Sequence, residues 1–357
     1  MPSKEIDSSH SEPRRASAFA RSGEESLSRK PETLRLPQRS WGAQGDTCAS
    51  HLFVIVGPTA VGKTALAIEL ARRFDGEIVS ADSRQIYRGM DIGTAKPTRQ
   101  EQARVPHHLI DIIAPDEPYT LANYQAQAYA AIEGILARGR QPFLVGGTGL
   151  YVRAVVEGLR IPRVPPNEEL RAQLALEDGA ALYERLRALD PDAAARIDPR
   201  NVRRTIRALE VCLTTGKKFS ELGRASPPPY LITQIGLTLP RPELYARIDA
   251  RVERMMAGGL VAEVEALVVQ GYSWELPSMS GLGYREIGEY LRGEATLSEA
   301  VANIKRDTRN FVRRQYAWFR LRDERIHWFE NAQVGEIERL LVLQSVECRV
   351  WSNERIT

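Results

Sequence analysis

The sequence predicts an α/β fold in which helices cover a parallel sheet and an all-helical segment interrupts it. Short apolar runs alternate with helical segments from His51 onward, which is typical of a doubly wound parallel sheet. A glycine-rich loop, GPTAVGKT, stands between the first apolar run and the first helix. Strand signals fade after Gly158 and return only at LITQIGLTL (231–239), so we expect the stretch between them to be an insertion.

Four short apolar runs predict the first strands of the sheet, in the order LFVIV (52–56), EIVSA (77–81), LIDII (109–113) and PFLVGG (142–147). Helical patterns separate them at ALAIELARRF (65–74) and YQAQAYAAIEGILARG (124–139), and Gly139 ends the second of these helices. After LITQIGLTL the sequence is mostly helical, up to the late segment VANIKRDTRNFVRRQYAWFRLRD (301–323).

These patterns divide the chain into five segments. Residues 1–50 are rich in Ser, Arg, Glu and Pro and lack hydrophobic periodicity, which predicts disorder. The division is a disordered N-terminal extension (1–50), the first part of the α/β core (51–159), an inserted helical domain (160–225), a largely helical second part of the core (226–335) and a C-terminal tail (336–357).

Composition narrows the class of protein. The chain of 357 residues is 43% hydrophobic, and no apolar run approaches the length that spans a membrane. Its three cysteines are far apart, which argues against a disulfide framework or a zinc site and favours the cytoplasm. The adjacent His107 and His108 would point to opposite faces of a strand, so we do not expect them to share a metal.

GPTAVGKT fits the pattern of a phosphate-binding loop, with a strand before it and a helix after it. Its glycines let the backbone wrap an anion, and the helix N-terminus adds partial positive charge. We expect Lys63 to reach terminal phosphate oxygens and Thr64 to ligate Mg²⁺. The loop consists of Gly57, Pro58, Thr59, Ala60, Val61, Gly62, Lys63 and Thr64.

The loop alone does not distinguish a kinase from an ATPase or another transferase. Many nucleotide hydrolases with such a loop end a further apolar strand with an aspartate that holds Mg²⁺. Here PFLVGGTGLY ends in glycines and Thr148, and Asp111 lies in the middle of its run. This absence weakens the interpretation as a nucleotide hydrolase without removing it.

Asp82 follows the second predicted strand, at the sheet edge where ligands of open α/β sheets bind. The phosphate loop follows the first strand at the same edge, so Asp82 could accept a proton from a nucleophile there. The alternative is that Asp82 only caps the following turn. Ser83, Arg84 and Gln85 add hydrogen-bonding groups beside it.

Arginines mark two further elements. In ARIDPRNVRRTIRALE we expect Asp198 to cap a helix and Pro199 to begin it. Four arginines would then share one face, which suits a polyanion such as RNA or, alternatively, neighbouring carboxylates. They are Arg200, Arg203, Arg204 and Arg207. The late helix carries more arginines beside an apolar stripe that we expect to pack on the core, with members such as Ile304, Phe311 and Trp318.

Taken in order, GPTAVGKT, DSRQIYRGMDIGTAKP, PHHLID, LVGGTGLY, RALE, GLGYRE and RRQYAWFR resemble the tRNA dimethylallyltransferase (tRNA isopentenyltransferase) family. The resemblance covers roughly residues 52–330, and DSRQIYRGMDIGTAKP is its most specific part. It implies a P-loop NTPase-like core with an inserted helical tRNA-binding domain. The implied reaction transfers a dimethylallyl group from dimethylallyl diphosphate to N6 of adenosine 37, in tRNAs that read codons beginning with U.

The resemblance also assigns roles to residues. It makes Asp82 the base, with Lys63 and Thr59 catalytic beside it and Mg²⁺ as the cofactor. It matches tRNA contacts to Asp82, Ser83, Arg84, Gln85, Thr148, Arg171, Arg203, Arg204, Thr205, Ile206, Arg207, Ser280, Gly281, Leu282, Gly283, Tyr284 and Arg285. The implied partners are the tRNA anticodon stem-loop and dimethylallyl diphosphate, no membrane is implied, and the protein is expected to be a monomer.

The sequence departs from the family pattern in the last helix, where Arg314 and Ala317 stand in place of an expected lysine and threonine. Ala317 lacks a hydroxyl, so a contact expected there is in doubt. Three other interpretations remain: a prenyltransferase of free adenine nucleotides, which would not need the basic insertion, a small-molecule kinase that uses ATP, and an RNA-binding protein without catalysis. The last would leave the set of Lys63, Thr64 and Asp82 unexplained.

Overall fold

The computed structural model describes residues 50–162, 164–222, 225–331 and 333–354, with side chains described up to residue 345. The predicted extension of residues 1–50 lies outside this part except for Ser50. The strands of the described residues are β1 (His51–Val56), β2 (Gly76–Ser80), β3 (His107–His108), β4 (Gln141–Val145), β5 (Leu231–Thr238) and β6 (Ile326–Glu330).

Fourteen helices occur in the same described ranges. Those before β5 are α1 (Lys63–Arg73), α2 (Arg99–Arg104), α3 (Leu121–Ala137), α4 (Gly149–Val156), α5 (Glu168–Ala175), α6 (Gly179–Leu189), α7 (Pro191–Ala194), α8 (Val202–Thr215) and α9 (Phe219–Leu222). Those after it are α10 (Arg241–Ala257), α11 (Leu260–Val269), α12 (Tyr284–Leu291), α13 (Leu297–Trp318) and α14 (Val334–Glu354). None of the described helices combines the length and apolar character that crossing a membrane requires.

All strand pairs of the sheet are parallel, in the order β3-β2-β4-β1-β5-β6, which confirms the predicted fold class. Apart from the partly exposed His51, all residues of the central strands β1, β2 and β4 are buried, since helices cover both faces of the sheet. One hydrophobic core lies on the face of α1 and α14, and another lies on the face of α3 and α4. This arrangement brings the ends of β1, β2 and β4 to one edge.

The prediction of a strand at LIDII (109–113) is wrong. The third strand is β3, and the chain turns directly after it, because Leu109 and Asp111 adopt left-handed backbone angles of φ 62° and 56°. The amide of Asp111 donates to the carbonyl of Gln85 instead of a strand neighbour. Asp111 also pairs with the buried Lys96, so local polar partners outweigh the apolar character of the run.

Helices α5 to α9 occupy the stretch predicted as an insertion, and they share a hydrophobic cluster of their own around Leu182, Leu186 and Leu209. Whether residues 160–225 form a separate domain stays a prediction. The expected start of the arginine helix is wrong, because α8 begins at Val202 and Asn201 is its N-cap. Arg200 precedes this start and therefore lies outside the helix. Asp198 pairs with Arg200 instead of capping α8.

The segment that the sequence analysis assigned to a C-terminal tail contributes to the fold. Residues 334–354 form α14, and the side chains of Ile337 and Leu341 are fully buried in the core beside α1. The apolar stripe of α13 is only partly as expected. Ile304 is buried, whereas Trp318 is 43% exposed.

Candidate active site

The phosphate loop follows β1 and ends in α1, as its motif predicts. Gly57 has a φ of 142°, and a Cβ there would lie 2.5 Å from the carbonyl oxygen of Leu237, so only glycine fits. Gly62 is the N-cap of α1, with a φ of 105° and no side-chain cap among the described residues. The first-turn amides of α1 are therefore available to an anion.

Gln315 joins the phosphate loop to the loop after β4. Its Oε1 accepts a hydrogen bond of 2.9 Å from the amide of Thr59, and its Nε2 donates one of 3.1 Å to the carbonyl of Gly147. Gln315 is buried on α13, and a Cβ on Gly147 would lie 2.3 Å from its Nε2. One side chain thus sets the spacing of two loops that meet at the sheet edge.

Asp82 lies just past the end of β2, where the sequence places it. Its Oδ1 accepts a hydrogen bond of 2.9 Å from the amide of Arg84, so it does cap the following turn. Capping uses one carboxylate oxygen, and the side chain also borders two cavities. The amide of Ser83 donates to Thr148 Oγ1 at 3.0 Å, which ties this turn to the start of α4.

Two cavities meet at Asp82. The smaller, of about 70 Å³, adjoins the phosphate loop and is lined by residues that include Lys63, Thr64 and Gln85. The larger, of about 390 Å³, is lined by residues that include Thr148, Tyr284 and Trp318. Three residues line both cavities, namely Thr59, Asp82 and Arg251. A molecule in one cavity can therefore meet a molecule in the other beside these side chains.

Two cations adjoin this junction. Burial lowers the pKa of Lys63 to about 8, although the Asp82 carboxylate acts in the opposite direction. Burial also lowers the pKa of Arg251, again with Asp82 acting to raise it. Lys63 Nζ donates a hydrogen bond of 2.7 Å to the carbonyl of Pro58 within the loop. Positive charge on these partly buried side chains favours binding of an anionic group at the junction.

The segment 280–285 contributes to the wall of the larger cavity, and its contact with tRNA stays a prediction. Arg84 joins this segment to the turn of Asp82, because its guanidinium donates to the carbonyl of Pro277 at 2.6 Å and to Ser280 Oγ at 3.2 Å. Tyr284 lines the cavity although it is only 1% exposed. The segment also contributes Gly281, Leu282 and Arg285 to the lining, whereas Gly283 N-caps α12.

The predicted tRNA contacts on the inserted helices lie apart from both cavities. Arg171 and Arg207 bind the fully buried carboxylate of Glu210, which also accepts from the amide of Asn167. The side chain of Thr205 is buried, and its hydroxyl donates to Asn201, so a direct tRNA contact is not open to it in this conformation.

The remaining positions of this strip differ in exposure. Ile206 packs against the cluster of the inserted helices. Arg203 and Arg204 are exposed, and neither guanidinium forms an ion pair within the described residues.

Sequence reasoning did not find Gln315 as a site residue, and it did not find Arg251. Gln315 stands within RRQYAWFR, a segment that carried the resemblance, but its contacts are to residues 256 and 168 positions away. Arg251 stands in a helix with many charged residues, where nothing in the local pattern distinguishes it from a solvated arginine.

Known families and proteins match most of the chain in sequence. A family model described as IPP transferase matches residues 85–322, and one described as Isopentenyl transferase matches residues 50–111. A protein of Roseiflexus castenholzii named tRNA dimethylallyltransferase is 63% identical over 273 residues, which cover 75% of this chain and 89% of that protein. A protein of Herpetosiphon aurantiacus with the same name is 56% identical over 295 residues, which cover 80% of this chain and 94% of that protein.

Solved structures show the same likeness. The full-length tRNA isopentenylpyrophosphate transferase of Bacillus halodurans has a TM-score of 0.65 and 41% identity, covering 85% of this chain and 99% of that one. A eukaryotic dimethylallyltransferase described as acting on tRNA has a TM-score of 0.67 and 28% identity. The match covers 79% of this chain and 74% of that one.

Proposed function

The chain belongs to the IPP transferase family, and from this membership and the geometry of its site we propose that it is a tRNA dimethylallyltransferase. It transfers a dimethylallyl group from dimethylallyl diphosphate to N6 of adenosine 37, in tRNAs that read codons beginning with U. The observation that carries the proposal is the position of Thr59, Asp82 and Arg251 between the cavity at the phosphate loop and the larger cavity.

The donor binds through its diphosphate. The amides of the phosphate loop and of the first turn of α1 surround the phosphate oxygens, and Lys63 and Arg251 supply positive charge. Both cations are partly buried beside the junction of the cavities, where they can stabilise charge that develops on the leaving diphosphate. The loop therefore serves to hold a leaving group rather than to pass on a phosphoryl group.

The donor set at the loop suits Mg²⁺. Thr64 places a hydroxyl at the start of α1, and Asp82 lines the same small cavity with a carboxylate. The described residues contain no cluster of three or more His, Cys, Asp or Glu that would hold a metal by itself. Mg²⁺ commonly takes one or two protein oxygens together with substrate phosphate and water, so Thr64 is the proposed ligand. When bound, Mg²⁺ neutralises charge on the diphosphate.

The reaction breaks one bond and forms one. The C1–O bond of the allylic diphosphate breaks, and its electron pair leaves with the diphosphate. The nitrogen lone pair of N6 forms the new bond to C1, and the proton that N6 loses passes to the free oxygen of the Asp82 carboxylate. The bond from Arg84 to Oδ1 fixes the orientation of that carboxylate before the substrates meet.

The acceptor base enters the larger cavity. An adenine stacked in an anticodon loop is out of reach of an enclosed carboxylate, so the base must leave its stack. Thr148, Tyr284 and Trp318 line the space that would receive it, and they combine hydroxyl groups with aromatic surface. Unpaired RNA bases are recognised by stacking on such side chains and by hydrogen bonds to their edges.

The inserted helices provide a surface for the anticodon stem. Arg203 and Arg204 are exposed on α8, where arginine can bind phosphates of an RNA backbone. Arg171 and Arg207 support this surface through Glu210, which joins α5 to α8. We also propose that the enzyme works as a monomer in the cytoplasm, where its tRNA substrate is available.

The test is transfer of labelled dimethylallyl groups to an anticodon stem-loop that contains A36, A37 and A38, with Mg²⁺ present. AMP serves as the competing acceptor and ATP as the competing donor. We expect label in the stem-loop and none when A37 is replaced by G. Label confined to AMP would overturn the proposal in favour of a free-nucleotide prenyltransferase. Consumption of ATP without prenyl transfer would overturn it in favour of a kinase.

A further inference from the structure

Glu263 of α11 lies behind the wall of the larger cavity and does not line it. Its Oε2 accepts hydrogen bonds from the amides of Asp91 at 3.0 Å and Ile92 at 2.7 Å. Its Oε1 accepts from the amide of Gly93 at 3.1 Å and from Tyr284 Oη at 2.6 Å. Four donors on one carboxylate form a strong, charge-assisted arrangement.

Two of these four donors, Gly93 and Tyr284, belong to residues that line the larger cavity. The two residues also touch directly, because a Cβ on Gly93 would lie 2.4 Å from Cε2 of the Tyr284 ring. The position of Gly93 under the ring therefore depends on contacts that Glu263 fixes from both sides.

The same loop reaches the turn of Asp82. The carbonyls of Thr94 and Ala95 accept from Gln85 Nε2 at 3.4 Å. Lys96 is buried, donates to the carbonyl of Tyr87 at 2.8 Å and pairs with Asp91. A shift of residues 91–93 would thus reach the acceptor cavity through Gly93. Gln85, which borders the smaller cavity, is also held by a hydrogen bond of 3.3 Å from Ser80 Oγ, and the phosphate loop is held separately by Gln315.

We propose that Glu263 is a positioning residue for the acceptor: its carboxylate holds residues 91–93 and Tyr284 in the places that shape the cavity for the target adenine. The inference rests on the proposed function, since it assigns the larger cavity to the acceptor. It requires that loss of this carboxylate affects acceptor use and leaves donor binding intact. A residue that only supported the fold would affect both.

The test compares Glu263→Gln with Glu265→Gln in the full chain. Glu265 is exposed on the same helix and serves as the matched control. In Glu263→Gln, an NH₂ group replaces one carboxylate oxygen and cannot accept hydrogen bonds from the backbone amides of residues 91–93. Hydrogen exchange of a peptide that contains these residues should therefore accelerate. Exchange of the phosphate-loop peptide should not change. The KM for the stem-loop should rise roughly 10- to 100-fold, as expected for lost hydrogen bonds to a charged group, with an unchanged donor Kd.

Tyr284→Phe provides a second variant that keeps the ring over Gly93 and removes only the hydroxyl. Tyr284→Phe should raise the KM for the stem-loop by a smaller factor than Glu263→Gln does. Because both changes remove the same hydrogen bond, the KM of the double variant should rise by less than the product of the two single factors. The inference is overturned if Glu263→Gln behaves like Glu265→Gln, or if donor and stem-loop binding weaken together. Hydrogen exchange needs no turnover, so absent transfer by the wild-type enzyme would refute the proposed function separately.

Discussion

Replacing Gln315 by alanine tests whether the donor site depends on a single bridge between two loops. The change removes both hydrogen bonds of this side chain and leaves the amide of Thr59 and the carbonyl of Gly147 without their partner. An unsatisfied buried group costs about 1–3 kcal/mol, and because both groups belong to residues of the larger cavity, water would satisfy them in part. We therefore expect the free energy of unfolding to fall by roughly 2–4 kcal/mol.

Loss of the Gln315 side chain should also weaken binding of the donor. Without Gln315, the phosphate loop is no longer anchored to α13 at Thr59 and must be ordered when the donor binds. The Kd for dimethylallyl diphosphate should therefore rise by about tenfold, equivalent to roughly 1.4 kcal/mol. The assays are urea unfolding followed by circular dichroism and calorimetric titration with the donor. Asn310→Ala, an exposed change on the same helix, is the control. If Gln315→Ala matches this control in both assays, the bridge has no energetic role.

Three further predictions concern other parts of the molecule. Burial alone would raise the pKa of Glu77, but hydrogen bonds from Arg138 and His108 outweigh it and lower this pKa to about 2. Glu77 therefore stabilises the fold above its unfolded pKa of 4.5, and the stabilisation should disappear as pH falls toward 2. Urea titrations should show this loss in the wild type but not in Glu77→Gln. Trp318→Ala removes an exposed ring at the cavity rim and should raise the KM for the stem-loop by about tenfold or more, since stacking contributes about 1–3 kcal/mol per base. Trp318→Phe should restore much of this, and a ring that serves only packing would instead alter donor Kd and stability. Thr64→Val should weaken donor binding in the presence of Mg²⁺ and leave it unchanged in EDTA, as calorimetry would reveal, whereas equal weakening in both would exclude Thr64 as a ligand.

Much of the sheet edge was predictable because its signals are local. A buried strand needs only a short apolar run, and β1, β2, β4 and β5 each have one. The phosphate loop is defined by eight consecutive residues, and Asp82 follows from its position after a strand. LIDII has the same apolar character, but the partner of Asp111 is Lys96, which the run itself does not contain.

The remainder of the site depends on contacts between distant residues. Spacing on a helix placed Arg207 on a basic face, but it could not show that the buried Glu210 would bind both Arg207 and Arg171. It also could not show that Thr205 would face inward. Glu263 carries no local signal, since its donors lie about 170 residues earlier and 21 residues later in the chain.

The central claim is that Asp82 accepts the proton of the acceptor amine at the junction of the two cavities. Asp82→Asn tests it most directly, because the amide oxygen can still accept from Arg84 and keep the turn. Asp116→Asn, an exposed change, is the control. The measurement is single-turnover prenyl transfer, together with the Kd of donor and stem-loop determined separately.

The account predicts that Asp82→Asn binds donor and stem-loop as the wild type does, while the rate of transfer falls about 10²- to 10⁴-fold, the usual contribution of a general base. A variant that transfers at nearly the wild-type rate, or one that loses binding as much as turnover, would contradict it.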